Sequence, residues 1–426
     1  MTSPASLSPA RGGPVSPPAP SSASWPVVGS GVVALAVAMG IGRFAFTPLM
    51  PLMLRDGTLT AATGAEWAAA NYAGYFLGAL TASRFSRNPR RGLLLSLLGV
   101  AVTTLAMAGA GGAPDLVGAG LRALAGVFSA WCLVCASGWC LAELARRRVP
   151  QRGAWIFTGV GLGIALAGAL AWLGGRFPAD RLWVALGALA ASGTVLVLVL
   201  SRGQGAPPAG PVARGATASA RAPRPGTLAL VLCYGAFGFG YIVPATFLPA
   251  MARALTPDPL VFGLAWPLFG LAAALSVAAV AGLLPGLSRL RLWALAQGIM
   301  ALGTALPLLV PTLWAVAASA ILVGGTFMVA TMAGLQLARE ARPDDPTPLL
   351  SRMTAAFAAG QILGPLLVRV LGGGGPALDL TGALATLVLV LTALWLWRAG
   401  SRTIPPSPAP GPIPPGSPAA PTGGSC

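Results

Sequence analysis

The chain contains no histidine and no lysine, and only 10 of its 426 residues are acidic. Without histidine there is no Ser-His-Asp triad, no imidazole acid or base, and no HExxH zinc helix. Charged residues make up 9% of the sequence, where a soluble globular chain carries about 25%. A water-soluble enzyme is therefore not the expectation, and no pair of buried acids points to a membrane-embedded one. No enzymatic activity, cofactor or metal is expected. Cysteine is sparse: Cys132, Cys135 and Cys140 share one apolar stretch, Cys233 lies in another, and Cys426 is the last residue. Cys132-x-x-Cys135 has a redox or metal spacing, but no second cysteine pair or histidine accompanies it. These cysteines read as small apolar helix residues.

Long apolar runs fill most of the chain, which is 55% hydrophobic with a mean hydropathy of +0.77. A run of about 20 apolar residues crosses a bilayer as a helix. Twelve such runs are expected, at 27–53, 66–83, 92–112, 116–141, 153–173, 180–200, 227–251, 259–284, 292–310, 313–338, 352–370 and 377–397. The fold class is thus an all-α polytopic membrane protein. Residues 1–26 and 399–426 read as disordered tails rich in Pro, Ser, Ala and Gly, and 201–226 as a similar linker. The linker separates a six-helix bundle at 27–200 from a second at 227–398.

All 27 basic residues are arginine, and they cluster between the runs. With both termini on the cytoplasmic side, twenty arginines fall in inner segments, five in outer ones, and Arg43 and Arg122 remain inside spans. That bias fixes the direction by the positive-inside rule. The net charge of +17 is then a topology signal, and no nucleic-acid partner is expected. The expected location is a membrane, with lipids as partners; the sequence is silent on oligomeric state.

The halves echo each other. Gly40-Ile-Gly42-Arg43 is followed by Pro51 and Met53; Gly238-Phe-Gly240-Tyr241 is followed by Pro249 and Met251, an offset of 198. Gly159 and Gly163 recur as Gly360 and Gly364 at an offset of 201. A parallel six-plus-six repeat is a frequent architecture of secondary transporters, with the substrate site between the halves near the midplane.

Twelve spans in matching halves with a cytoplasmic middle linker resemble the major facilitator superfamily. More narrowly, Gly40-Ile-Gly-Arg-Phe-Ala-Phe-Thr-Pro-Leu-Met-Pro51, Asn71-Tyr-Ala-Gly-Tyr-Phe-Leu-Gly78 and Gly360-Gln-Ile-Leu-Gly-Pro365 resemble its YbfB/YjiJ-like bacterial branch. The resemblance implies two six-helix bundles in a bacterial cytoplasmic (inner) membrane, moving a small solute by alternating access. One departure stands out. Many superfamily members carry Gly-x-x-x-Asp-Arg-x-Gly-Arg-Arg between spans two and three; here Ala82 stands where the aspartate would follow Gly78. The resemblance does not supply the usual aspartate latch.

An arginine within a span costs about 2.5–3.5 kcal/mol even on the lenient insertion scale, so Arg43 and Arg122 need a reason. One reason is an anionic substrate, whose carboxylate or phosphate matches the guanidinium fork. The other is an internal strut bonded to backbone carbonyls or to an acid such as Glu66 or Asp115. The functional reading is favoured for Arg43, whose repeat mate is Tyr241, and the strut for Arg122. Asn71, Tyr241 and Gln361, which lie in the matched motifs, complete the candidate substrate-binding set. Glu66 is the best candidate for a proton-coupling acid, although a solvated helix-start carboxylate explains it more simply. The preferred solute is a small organic anion. Export of a hydrophobic or cationic toxic compound is the alternative, and a non-transporting membrane sensor is a more distant one.

Overall fold

The computed structural model describes residues 24–401 except 86–87, 114, 203–225, 256–262, 285, 344–345 and 373. The expected tails and linker therefore lie outside the described residues but for their edges: the first helix begins at Trp25 and the last ends at Ser401. In chain order the helices are α1 Trp25–Arg55, α2 Ala61–Phe85, α3 Pro89–Gly112, α4 Asp115–Arg146, α5 Pro150–Leu173 and α6 Ala179–Ser201. The second set is α7 Thr227–Leu255, α8 Ala265–Leu283, α9 Arg289–Leu309, α10 Leu313–Ala341, α11 Thr347–Val370 and α12 Gly374–Ser401. There is no strand among the described residues.

Eleven of these helices are apolar and long enough to cross a membrane. The twelfth, α2, has 25 residues but carries Glu66, Asn71, Tyr72 and Tyr75 on its length. Its polar groups are tolerable because it is pressed against α4 rather than left to lipid. A Cβ on Gly74 would lie 1.9 Å from Ala123 O, and one on Gly126 2.2 Å from Asn71 O. Two backbones this close leave little room for anything between them.

Helix α1 is not uniform. Residues Ala36–Arg43 form a π segment, and a regular helix resumes at Phe46. Phe44 N–H bonds five residues back to Met39 O at 3.1 Å. Pro48 has no N–H to give to Phe44 O; Thr47 N–H takes that oxygen at 3.2 Å rather than reaching Arg43 O four residues back. The break leaves backbone carbonyls around residues 42 and 43 in need of donors, the situation in which π-bulges are often found at functional sites.

The sequence repeat reappears as a packing device. In the first half Gly40 of α1 meets Gly163 of α5: a Cβ on Gly40 would stand 2.3 Å from Gly163 Cα. In the second half Gly360 of α11 meets α7, with 2.3 Å from its Cβ position to Gly235 O, and Gly238 packs equally tightly on Phe357 O. The first and fifth helices of each half thus close on glycine. Glycines also join the halves, where α5 lies along α8. A Cβ on Gly161 would be 2.3 Å from Ala274 N, and one on Gly270 2.3 Å from Ala165 N.

These contacts are with backbone, so no rotamer relieves them. Replacing Gly161 with Val should lower the thermal midpoint of the purified protein, since overpacking costs about 1–3 kcal/mol. Gly298→Ala, which adds a methyl into open space, should leave it unchanged. Equal midpoints for G161V and the wild type would show that the halves do not touch there.

Candidate functional site

One face of α4 supplies donors to the backbone of α1, which runs antiparallel beside it. Cys140 Sγ is 3.7 Å from Val27 O, Cys132 Sγ 3.7 Å from Ala34 O, and Ser129 Oγ 2.7 Å from Ala38 O. The row ends at the break in α1. There Arg122 donates from Nη1 to Gly42 O and from Nη2 to Arg43 O, each at 3.0 Å. Its guanidinium also lies over the Phe46 ring, 4.8 Å from the centroid. Asn71 of α2 completes this corner by donating from Nδ2 to Arg122 O at 2.9 Å. A charged donor to a carbonyl contributes about 1.5–3 kcal/mol, so two such bonds offset the insertion cost of Arg122.

Arg43 is satisfied differently. Its side chain leaves α1 towards the centre and stacks on Tyr75, with Cζ 3.6 Å from the ring centroid. Phe44 at 5.4 Å and Tyr72 and Phe357 at 6.0 Å complete an aromatic surround. Its Nη2 donates to Oε1 of Gln361 on α11, a bond between the two halves of the molecule. The remaining nitrogens, Nε and Nη1, are buried without a partner, as are Gln361 Nε2 and Tyr241 Oη. Neither Arg43 nor Arg122 makes an ion pair among the described residues. Cation–π contact and one amide bond hold a buried charge that still has donors to spare.

The opposite wall belongs to the second half. Tyr241 stacks on Phe327 with centroids 4.9 Å apart and lies 6.0 Å from Phe357. Phe44 reaches across to Phe327 at 6.2 Å and to Trp266 at 6.5 Å. The space left among Met39, Tyr75, Tyr234, Phe327, Met328 and Phe357 is about 10 Å³, no more than one water needs. The centre is closed. Towards the Arg-rich end, Arg339 of α10 is directed at Ser137 O and Gly138 O of α4, 3.4 Å from each. A cation facing carbonyls thus joins the halves at the end where the superfamily's aspartate latch is missing.

All five sequence candidates are buried, and they form one connected cluster. Arg43 bonds Gln361, Arg122 bonds the Arg43 backbone, Asn71 bonds Arg122, and Tyr241 packs on the Phe357 ring beside Arg43. Glu66 is exposed at the mouth of α2, away from this cluster. The cysteines of the Cys-x-x-Cys are buried and free, and the described residues hold no group of metal-ligand side chains. Tyr75 and Phe357 were not among the candidates. They stand four residues after Asn71 and four before Gln361, hence on the same helix faces, and that spacing was the available signal.

Two bundles of six helices, closed around a buried arginine, are the architecture of a membrane transporter. A family model described as the uncharacterised MFS-type transporter YbfB matches residues 35–396, and the chain belongs to that family of the major facilitator superfamily. Among solved structures, one similar to this chain is that of the human organic anion transporter MFSD10 (TETRAN). The TM-score is 0.63 at 16% identity, over 89% of this chain and all of that one. No curated protein matches the sequence.

Removing the Arg122 guanidinium should leave two carbonyls of the broken helix without donors. Arg122→Gln is expected to lose about 3 kcal/mol of stability, read as a fall of several degrees in the thermal midpoint. The drop should be the same with or without added anions. A stable R122Q that no longer responds to anions would instead make Arg122 a binding residue.

Proposed function

We propose that this transporter moves a small organic anion across the bacterial cytoplasmic membrane by alternating access, with Arg43 holding the anionic group. The observation that carries this reading is a buried guanidinium at the interface between the halves, with two nitrogens unpartnered and no carboxylate in contact. A carboxylate docking there adds the counter-charge that the neutral Gln361 amide lacks, and its two oxygens match the guanidinium fork. It therefore displaces Gln361 Oε1, which otherwise occupies the position of the anion's oxygen. Breaking that bond removes a polar tie between α1 and α11. Substrate binding and loosening of the two halves become one event.

The other candidates support Arg43. Arg122 is a strut that fixes the broken backbone of α1, and Asn71 orients α4 against α2. Tyr241 brings a hydroxyl without a partner to the wall of the site. Among the described residues the buried acid is Glu143, which is held by Arg146 and Arg147 at the far end of α4. No carboxylate stands beside Arg43 to exchange a proton with substrate, so facilitated diffusion or anion exchange fits better than proton coupling. The arginine bias supports a cytoplasmic side for both termini. Human MFSD10, to which the fold is similar, is an organic anion transporter, and this choice of solute accords with it.

A thermal-stability screen of the purified protein against solutes sorted by charge tests the proposal. A ligand at about 100 times its Kd contributes about 2.7 kcal/mol to the folded state. Organic anions should raise the midpoint of the wild type by several degrees and leave Arg43→Gln unmoved. If cations or neutral apolar compounds stabilise both proteins alike, Arg43 is a strut and toxic-compound export replaces the anion reading.

A further inference from the structure

The central site has a further property, its charge count set against the character of its walls. From this we infer that the preferred substrate is a singly charged anion with a flat aromatic body, such as an aryl carboxylate. The inference rests on the anion reading of Arg43 and narrows it.

The charge count comes first. Two guanidinium groups approach the centre, but both Nη atoms of Arg122 are engaged by Gly42 O and Arg43 O. Arg339 faces the carbonyls of Ser137 and Gly138. Arg122 keeps its Nε as an unpartnered donor, whereas Arg43 keeps both Nε and Nη1 and faces the aromatic centre. A second anionic group would feel the charge of Arg122 but would meet there just one free donor, its Nε, and giving up water for so few hydrogen bonds is costly.

The walls then decide the body. Arg43 Cζ lies over the Tyr75 ring, 3.6 Å from its centroid, and the unpartnered Nε and Nη1 are the donors left for a ligand. The walls of this centre are Phe44, Phe327, Phe357, Tyr234 and Tyr241, with Met39 and Met328. Besides the hydroxyls of Tyr75 and Tyr234, the polar groups lining the same cavity are those of Thr331 and Thr354, which bond back to their own helices at 2.8 Å each. A sugar-like or polyhydroxylated substrate would find few partners.

The aromatic contacts also cross the moving interface. Phe44 belongs to the first half, while Phe327 and Trp266 belong to the second, and their rings are in edge or tilted contact. Opening the halves separates these rings and bares their faces. A planar ring inserted between them restores ring-to-ring contact; an aliphatic chain of the same charge restores only apolar burial. Aromatic pairs gain beyond their buried area. Tyr241 Oη, buried and unpartnered, leaves one further hydrogen bond for a substituent on the ring or for the anionic group.

The test is a set of matched anions on the purified full-length protein, read as thermal midpoint against concentration. Benzoate should bind about threefold to tenfold more tightly than cyclohexanecarboxylate, the range an aromatic pair supplies. Phthalate, succinate and inorganic phosphate should produce no shift. In Phe44→Leu and Phe357→Leu the preference for benzoate over cyclohexanecarboxylate should shrink; in Arg43→Gln all binding should vanish. Two leucine variants on different halves guard against one failing to fold. If succinate or phosphate binds as well as benzoate, or cyclohexanecarboxylate equals benzoate in the wild type, the aromatic monoanion is wrong while the anion reading stands. If no anion binds, both fall together.

Discussion

A guanidinium enclosed by aromatic rings and lipid-facing helices needs either a counter-charge or enough acceptors to use its donors. Arg43 has neither in full: its polar partner is one amide oxygen, that of Gln361 on the opposite half of the molecule. The closed arrangement depends on that bridge. It sits where the halves meet, and it joins a charged group of one half to a neutral amide of the other. Glycine-lined contacts between α5 and α8 let the halves approach closely enough for the bridge to form. Aromatic pairs fill the remaining space.

The position of Arg43 is itself a product of the backbone. Gly40, Gly42 and Pro48 disfavour a continuous α-helix, and α1 passes through a π segment that ends at Arg43. Such a break is tolerated in a membrane only if the freed carbonyls find donors. Helix α4 provides them through the two bonds of Arg122 to Gly42 O and Arg43 O. One arginine therefore rigidifies the backbone from which the other projects. Their adjacency explains why both are present at similar depth and why they do different work.

Much of the fold was legible because bilayer physics writes itself in long apolar runs and loop arginines. The helices fall within five residues of the expected runs, apart from the start of the eighth run at 259, which lies outside the described residues, although α2 is less apolar than its neighbours and is sheltered by α4. The glycine repeats were visible as offsets of 198 and 201, and the structure supplies their meaning as α1–α5 and α7–α11 contacts. The candidate cluster was partly legible too. Arg43 and Arg122 stood out by cost, and Asn71, Tyr241 and Gln361 by motif. Their pairing was not, since the Arg43–Gln361 bond joins residues 318 apart in sequence and depends on how two halves dock. The aromatic wall was missed because phenylalanine in an apolar helix carries no local signal. Which ring faces the interface is decided by helix rotation, and rotation is decided by packing.

The bridge is most directly tested without any ligand, by double electron–electron resonance between spin labels at Leu116→Cys and Trp314→Cys. Both positions are highly exposed, at 82% and 85%, and begin repeat-mate helices α4 and α10 at the same end of the two halves. Cys426 would be replaced by serine so that labelling is confined to the two sites. Losing a hydrogen bond to a charged group shifts an equilibrium by about 1.5–3 kcal/mol, roughly tenfold or more in the ratio of two states. Gln361→Ala should move the distance distribution from the short, closed value towards a longer one. Coincident distributions for the wild type and Q361A would mean that the Arg43–Gln361 bond does not hold the halves together.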